Sequence, residues 1–335
     1  MVVSFCVIAY NEERALRSLF DDIKQQEYPH EKMEIVLVNS MSTDNTRQLM
    51  ENFSKEDHGF KRIVVLDNPK KKQAAGWNVA IREARGDVIL RIDAHAMVPK
   101  DFVAKNVACL ASGEHVSGGQ RPNIVEESTP WKETLLLAES SMFGSSIAPY
   151  RKGTNKQYVN SVFHGAYRKE VFENAGLFNE SLGRTEDNEM HYRIRKAGYK
   201  ICFSPEIISY QHVRGTWRSM LKQKYGNGRW IGLTLSICPQ CFSLFHFVPL
   251  CFVLAIIGAI LLSFLGIWLP FILLSVSYVT VDFMMTILSV KGKRRYWQYV
   301  WLPIIFFSLH FVYGIGTLNG ILQIPFWRKD GVEGC

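Results

Sequence analysis

Residues 2–13, VVSFCVIAYNEE, set the pattern of the N-terminal half of the chain. The apolar run Val2–Ala9 predicts a buried strand, and Glu12–Gln26 predicts a helix with acidic residues in its first turn. The pattern repeats, and the predicted elements follow as strand Glu34–Val38, helix Asp44–Phe53, strand Ile63–Leu66, helix Gln73–Ala84 and strand Val88–Asp93. This alternation indicates βαβ units, and therefore an α/β domain built on a mostly parallel sheet with right-handed crossovers.

Several predicted strands run directly into polar residues. The first is followed by Tyr10-Asn11-Glu12, the second by Asn39-Ser40, and the strand Val88–Asp93 by Ala94-His95. Ligands of open parallel sheets bind beyond the carboxyl ends of the strands, so these residues are candidates for a binding site. Neither G-x-G-x-x-G nor a P-loop occurs in the sequence, which argues against a dinucleotide site.

Beyond residue 100 the alternation of strands and helices becomes less regular. Helices are predicted at Lys100–Ser112 and at Glu186–Ala197, where Gly198 is a suitable C-terminal cap, and a strand is predicted at Ser161–Tyr167. An irregular stretch is predicted from Gly118 through Pro130. We divide the chain into an α/β domain (1–205), an interfacial segment (206–240) and a membrane domain (241–335).

Composition and charge narrow the class of protein. The 335 residues suffice for about two domains, and the 47% apolar content excludes general disorder. Lys and Arg (39) exceed Asp and Glu (31), but the excess lies in residues 205–236 and after residue 290. A nucleic-acid-binding protein would need a basic face on its folded domain, so no nucleic-acid partner is expected.

The C-terminal third predicts membrane helices. Leu244–Leu265 and Ile267–Leu288 are candidate spans, and Val300–Leu322 is a third, since about 20 apolar residues cross the hydrocarbon as a helix. The alternative is a buried helical pair in a soluble protein, but soluble helices show a polar face. Basic residues before the first span and in the loop 291–295 predict a multi-pass protein of the cytoplasmic (inner) membrane, with its catalytic domain in the cytoplasm. The third segment is either a span or a re-entrant or interfacial helix.

Cysteine usage gives one close pair, Cys238 and Cys241. A metal site would need two further ligands, and a redox dithiol would need a thioredoxin-like context. We therefore interpret the two as incidental cysteines at the membrane border.

Asp93 and His95 are candidate metal ligands. Two ligands separated by one residue at the end of a buried strand can reach one cation, and a carboxylate with an imidazole suits Mn²⁺ or Mg²⁺. The alternative is a simple cap at the end of the strand.

Two further groups of residues are candidates for catalysis or ligand binding. Glu186 and Asp187 stand at a predicted helix start, where they either cap the helix or form a carboxylate pair in which one member is a base of useful strength. Arg229-Trp230 lies on a basic, aromatic stretch before the first span, and its alternative role is an interfacial anchor.

These motifs occur in an order that resembles the catalytic half of the family-2 glycosyltransferases, which have the GT-A fold. The resemblance covers about Val2 to Trp230, and it is nearest to the succinoglycan-type exopolysaccharide transferases, which also carry Asp-Ala-His and C-terminal membrane spans. The motifs are Val7-Ile8-Ala9-Tyr10-Asn11-Glu12-Glu13, Ser42-Thr43-Asp44-Asn45-Thr46, Asp93-Ala94-His95, Gly165-Ala166-Tyr167-Arg168-Lys169-Glu170-Val171-Phe172, Gly176-Leu177-Phe178-Asn179-Glu180, Glu186-Asp187 and Ala197-Gly198-Tyr199.

The resemblance implies a role for each site residue. Asp187 takes the place of the general base, with Glu186 acting by its charge or by orienting the acceptor, and His95 takes a metal-ligand place. The implied nucleotide-sugar-binding residues are Ala9, Tyr10, Glu12, Asn39, Lys72 and Asp93, and Asp93 contacts either ribose or the metal. The implied contacts to the acceptor or the diphosphate are His212, Arg229 and Trp230. The alternatives are a solvated loop for Lys72 and a structural role for His212.

The resemblance implies an inverting, metal-dependent hexosyltransferase of exopolysaccharide or cell-surface glycan synthesis. The expected donor is a UDP-sugar, and the expected acceptor is a polyprenyl-diphosphate-linked saccharide at the membrane. Three departures bear on this. Asn39 stands where the family usually has an acid, His95 stands in place of the second Asp of D-x-D, and Gly226 stands where processive members begin Q-x-x-R-W. The alternatives are a processive polysaccharide synthase and a non-catalytic nucleotide-sugar-binding membrane module.

Overall fold

The computed structural model describes residues 1–125, 127–144 and 153–331. Its strands are β1 Val3–Ala9, β2 Met33–Asn39, β3 Arg62–Asp67, β4 Val88–Asp93, β5 Ala96–Met97, β6 Val116–Gln120, β7 Asn123–Ile124, β8 Gln157–Val159, β9 Gly165–Arg168, β10 Ile201–Ile208 and β11 Tyr210–His212. Its α-helices are α1 Glu13–Lys24, α2 Thr46–Lys55, α3 Gln73–Glu83, α4 Phe102–Ala111, α5 Pro130–Ser140, α6 Lys169–Ala175, α7 Glu186–Lys196, α8 Trp217–Thr234, α9 Val248–Phe264, α10 Leu269–Val290 and α11 Leu302–Gly331.

The first of two compact units comprises residues 1–122 and 148–212. It contains a sheet with the strand order β3-β2-β1-β4-β9-β6-β10-β8. The strands β3, β2, β1 and β4 run parallel, as do β6 and β10, whereas β9 is antiparallel to both β4 and β6. The predicted α/β fold with a mostly parallel sheet is confirmed.

Helices cover both faces of this sheet. Side chains alternate along a strand, so Phe5 and Val7 of β1 pack with α1, α2 and α4, while Cys6 and Ile8 pack with α3, α6 and α7. All seven residues of β1 are buried. A strand buried on both faces reads as a continuous apolar run, which is why the first strand is recognisable from sequence.

The second unit comprises residues 123–147 and 213–335. Among the described residues, three helical segments are long and apolar enough to cross a membrane, namely Leu244–Phe264, Leu269–Val290 and Trp297–Trp327. The third segment consists mainly of α11, a single uninterrupted helix. α8 packs along α11, where Gly320 lies against the backbone of Arg229 so closely that an added Cβ would be 2.1 Å from its carbonyl oxygen.

The structure differs from the sequence-based expectations in three respects. α5 lies within a stretch left without a predicted helix, and its start is fixed by the Thr129 side chain, which accepts a hydrogen bond from the backbone N–H of Lys132 at 3.2 Å. Cys238 and Cys241 are joined by a disulfide, so their interpretation as incidental single cysteines is wrong in this structure. The compact units also divide the chain differently from the predicted segments, because α5 belongs with the C-terminal helices.

Candidate active site

The loops after β1 and β2 are tied together at the carboxyl end of the sheet. Asn11 and Met41 both have left-handed backbone conformations, with φ of 56° and 59°. The Asn11 side-chain oxygen accepts a hydrogen bond from the Thr43 backbone N–H at 2.8 Å, and the Asn11 N–H donates to Ser42 Oγ at 3.0 Å. The two loops therefore form one rigid border of the candidate site.

The predicted nucleotide-binding residues lie along this border. Ala9 is buried, whereas Tyr10 is 52% exposed and can offer its ring to a ligand. Lys72 has an exposed side chain and occupies the N-cap position of α3 without making a side-chain capping hydrogen bond. A helix N-terminus carries partial positive charge, so the position of Lys72 suits a phosphate group.

Asn39 is buried and engaged by neighbours. Its side-chain nitrogen donates to Asp67 Oδ1 at 3.0 Å, and its oxygen accepts from the Ser42 N–H at 3.0 Å. Asp67, at the end of β3, also pairs with Arg47. Sequence reasoning did not single out Asp67, which directly follows a predicted strand. Through Asn39 it brings a carboxylate close to the position where the family usually has an acid and this chain has Asn39.

His95 and Glu12 form a pair. His95 Nδ1 lies 3.0 Å from Glu12 Oε1, so Glu12, which the sequence assigns to the nucleotide, contacts a predicted metal ligand. A carboxylate that holds one imidazole nitrogen fixes the ring and its tautomer, as partners of metal-ligating histidines do.

Asp93 ends β4 with a side chain that is 14% exposed. Its neighbour is His164, whose Nε2 lies 3.7 Å from Asp93 Oδ2 and whose Nδ1 lies 2.8 Å from Ser209 Oγ. Burial opposes ionisation of Asp93, but His164 first, and then His95 and Arg91, hold the pKa of this carboxyl below its ordinary value. Asp93 is therefore an anion at the carboxyl end of the sheet.

This donor set fits a hard divalent cation. An ionised carboxylate on Asp93 and an oriented imidazole on His95 are the ligand types that Mn²⁺ and Mg²⁺ accept, and such ions usually complete their coordination with substrate phosphates and water. Within the described part of the chain, no group of three or more His, Cys, Asp or Glu side chains is arranged to hold an ion. The protein would therefore supply two ligands and a bound diphosphate the others.

Glu186 and Asp187 open α7 with different exposures. Glu186 is buried, at 3% exposure, whereas Asp187 remains partly exposed. Burial and then the charge of Asp187 raise the pKa of Glu186 to about 8. Burial also raises the pKa of Asp187 above its ordinary value, and Arg91 limits that rise. Asp93 contributes to both shifts, so the three acids lie within electrostatic reach of one another.

Arg91 is a buried cation that the sequence analysis missed. It is 4% exposed, and its guanidinium carbon lies 4.5 Å from the ring centroids of Trp77 and Phe178. It precedes Asp93 by two residues on β4, so both side chains project from the same face of the sheet. An arginine inside an otherwise apolar strand was the signal that could have revealed it.

A second buried histidine lies on this face. His191 of α7 is fully buried, with Nδ1 3.0 Å from Ser161 Oγ and Nε2 2.8 Å from the Tyr167 hydroxyl. Burial lowers the pKa of His191 to about 3, so the ring is neutral at physiological pH.

The predicted acceptor-side residues fall in both units. His212 is the last residue of β11, which pairs with β5. In this pairing Gln211 lies opposite Ala96, the residue that follows His95. Arg229 and Trp230 belong to α8 of the second unit. There Arg229 Nε donates to Gln323 at 2.8 Å, and the Trp230 ring lies 6.1 Å from that of Trp327, so both contact α11.

A parallel sheet with Asp-Ala-His at the end of one strand and an acid pair opening a nearby helix defines a glycosyltransferase of the GT-A fold. The profile described as Glycosyl transferase family 2 matches residues 4–176, and the chain belongs to this family.

Two curated relatives and one solved structure are similar to the chain. A Methanococcus voltae protein named dolichyl N-acetyl-alpha-D-glucosaminyl phosphate 3-beta-D-2,3-diacetamido-2,3-dideoxy-beta-D-glucuronosyltransferase is 24% identical, over 96% of this chain and 97% of its own length. The succinoglycan biosynthesis protein ExoA of Rhizobium meliloti is 31% identical, over 65% of this chain and 66% of its own. The structure of a Pyrobaculum calidifontis mannosyltransferase in complex with GDP-Man and Mn²⁺ aligns with a TM-score of 0.61 and 16% identity, over 95% of this chain and 87% of the other.

Proposed function

We propose that the protein is an inverting, cation-dependent glycosyltransferase that moves a sugar from a nucleotide-sugar to a polyprenyl-diphosphate-linked saccharide at the cytoplasmic face of the membrane. The observation that carries this proposal is the placement of Asp93 and the Glu186–Asp187 pair at one end of one sheet, within electrostatic reach of one another. Membership of the family supports the transfer of a sugar, and the steps below supply the details.

The donor lies along the border formed by the β1 and β2 loops. Tyr10 stacks on the base, the Asn39–Asp67 pair offers polar atoms to its edge, and Lys72 at the start of α3 meets a phosphate. A UDP-sugar is the expected donor. The nucleotide-sugar in the mannosyltransferase structure is GDP-Man, so GDP-sugars belong in any test.

Asp187 is the general base. It is the more exposed acid of the pair, and its raised pKa makes its carboxylate more basic than that of an ordinary aspartate. The Asp187 carboxylate takes the proton of the acceptor hydroxyl while the hydroxyl oxygen bonds to the anomeric carbon. The bond from that carbon to the diphosphate oxygen breaks on the opposite face, which inverts the configuration.

Asp93 and His95 would hold the cation, with Glu12 orienting His95. A bound Mn²⁺ or Mg²⁺ supplies neutralisation of the negative charge that develops on the departing nucleoside diphosphate. Burial and the charge of Asp187 raise the pKa of Glu186, which disfavours a second negative charge next to Asp187.

The acceptor is lipid-linked. The described part of the chain contains three helical segments of spanning length, and the name of the Methanococcus voltae relative describes a dolichyl phosphate saccharide. Basic residues before the first of these segments and in the loop 291–295 favour a multi-pass protein of the inner membrane with the catalytic domain in the cytoplasm.

The test is nucleotide release by the full-length chain in detergent. A panel of UDP- and GDP-sugars is offered with polyprenyl-diphosphate-linked acceptors, in Mn²⁺, in Mg²⁺ and in EDTA. We expect release that depends on acceptor and cation, with a product longer by one sugar. A ladder of products would indicate a processive synthase, and tight donor binding without release would indicate a non-catalytic module. Asp93→Asn is the control for adventitious hydrolysis.

A further inference from the structure

His164 is a buried histidine next to the candidate cation site. It is 5% exposed and directly precedes β9, which runs antiparallel to β4 with Ala166 opposite Leu90. The register carries His164 towards the end of β4, where Asp93 lies. Neither the sequence motifs nor the family comparison assigns a role to this residue.

The contacts of the imidazole point it at Asp93. Nδ1 lies 2.8 Å from Ser209 Oγ, whereas Nε2 is buried, 3.7 Å from Asp93 Oδ2, and has no hydrogen-bond partner among the described residues. A lone pair on Nε2 would be repelled by the carboxylate. Nε2 therefore carries the proton, and the Ser209 hydroxyl donates to Nδ1.

A buried N–H group that lacks a hydrogen-bond acceptor destabilises the folded protein. The Nε2–H of His164 lies just beyond hydrogen-bond distance from the Asp93 carboxylate. Hydrogen bonds in active sites are often long in the free enzyme and shorten when the ligand binds. A small movement of Asp93 towards His164 would satisfy the N–H and fix one carboxylate oxygen.

We propose that His164 is a positioning residue for Asp93, donating from Nε2 to Oδ2 when the donor complex forms and so leaving Oδ1 for the cation. This inference rests on the proposed function, because it takes Asp93 as a cation ligand. Ser209 is part of the same device, since its hydroxyl fixes which nitrogen of His164 carries the proton.

The experiment measures Mn²⁺ affinity by electron paramagnetic resonance, using the full-length chain with whichever of UDP or GDP the wild type binds better. Removing an outer partner of a metal ligand typically weakens metal binding about 10- to 100-fold, and we expect that loss for His164→Leu. His164→Gln places an amide N–H near the position of Nε2 and should restore most of the affinity. Ser209→Ala should weaken Mn²⁺ binding less than His164→Leu, and it provides the test if the leucine variant does not fold.

His191→Leu is the matched control, because His191 is equally buried and also has a serine at Nδ1, but its Nε2 meets Tyr167. Its Mn²⁺ affinity should equal that of the wild type in protein with a cooperative thermal transition. Unchanged affinity in His164→Leu, or equal losses in the leucine and glutamine variants, would overturn the proposal for His164. Asp93→Asn distinguishes failure of the proposal for His164 from failure of the proposed function. If this variant binds Mn²⁺ as the wild type does, the cation site of the proposed function is wrong.

Discussion

At the scale of single residues, the difference between Glu186 and Asp187 is the most informative feature. Consecutive helical residues point about 100° apart, so only one of the two acids can face the cleft. The structure buries Glu186 and leaves Asp187 partly exposed. This placement supports Asp187 as the base, the role that the family motif implies for it.

Asp187→Asn should lower transfer by roughly 10²- to 10⁴-fold, the usual contribution of general-base assistance. Donor affinity should change little, because the proposed contact of Asp187 is with the acceptor hydroxyl and not with the donor. Turnover with a lipid-linked acceptor and donor binding by calorimetry check the two halves of this prediction. Glu186→Gln is the matched control and should retain much more activity; near-normal turnover in Asp187→Asn with a dead Glu186→Gln would reverse the assignment.

Replacing Arg91 should shift the lower pH limit of sugar transfer. Its charge opposes the burial that raises the pKa of Asp187, so Arg91→Met should raise this pKa further. A base must be ionised to work; activity is therefore lost as pH falls through the pKa of Asp187, and in the variant the loss should begin at a higher pH. A pH profile of turnover measures this, and Arg91→Lys, which keeps a positive charge, should move the limit less. Superimposable profiles for the wild type and Arg91→Met would exclude this role.

The motif-bearing part of the site could be predicted from sequence, and the part made by distant contacts could not. Asp93, His95, Glu186 and Asp187 stand in short motifs at element ends, where chain order alone identifies them. His164 reaches Asp93 from 71 positions away along the chain, and its other partner, Ser209, lies 45 positions away. The pairing of β9 with β4 brings His164 to Asp93, and the pairing of β10 with β6 places Ser209 at the same end of the sheet.

At the scale of elements, the strands buried on both faces were predictable and the helices packed against other helices were less so. β1 to β4 read as apolar runs between amphipathic helices, and their bounds agree with prediction to within a residue or two. α5 was missed although Thr129-Pro130 is a recognisable start signal. α5 lies in the second, helical unit. The spacing of its apolar residues alone did not distinguish it from a loop.

The contact between α8 and α11 depends on glycine. Gly320→Ala would place a Cβ 2.1 Å from the Arg229 carbonyl oxygen, which forces the helices apart and should cost about 1–3 kcal/mol. Gly258→Ala on α9 is the control, since its Cβ would meet nothing within 4 Å. Thermal unfolding of the purified chain in detergent should show a lower midpoint for Gly320→Ala and an unchanged or higher one for Gly258→Ala. Equal midpoints for the two variants would mean that the close packing contributes no stability.

At the scale of the whole molecule, the two units differ in how they bury their apolar residues. The first buries its apolar residues within itself on both faces of a sheet. The second leaves many large apolar side chains exposed along its long helices, among them Phe264, Leu273 and Ile304. An apolar surface of this extent is stable only in contact with lipid or a partner. The exposed apolar surface of the helical unit therefore favours association with a membrane, which the proposed lipid-linked acceptor requires.

The contact between α8 and α11 predicts the topology of the third apolar segment. Basic residues before the first span and in the loop 291–295 favour the cytoplasm, so α8, which precedes that span, is expected on the cytoplasmic side. Trp230 of α8 lies against Trp327 of α11, which favours the re-entrant or interfacial alternative for the third segment over a full crossing. A fluorescent protein fused after Trp327 should therefore be fluorescent in bacterial cells, and alkaline phosphatase fused there should be inactive, because it folds only outside the cytoplasm. An active phosphatase after Trp327, with an inactive one in the loop 291–295, would show that the third segment crosses.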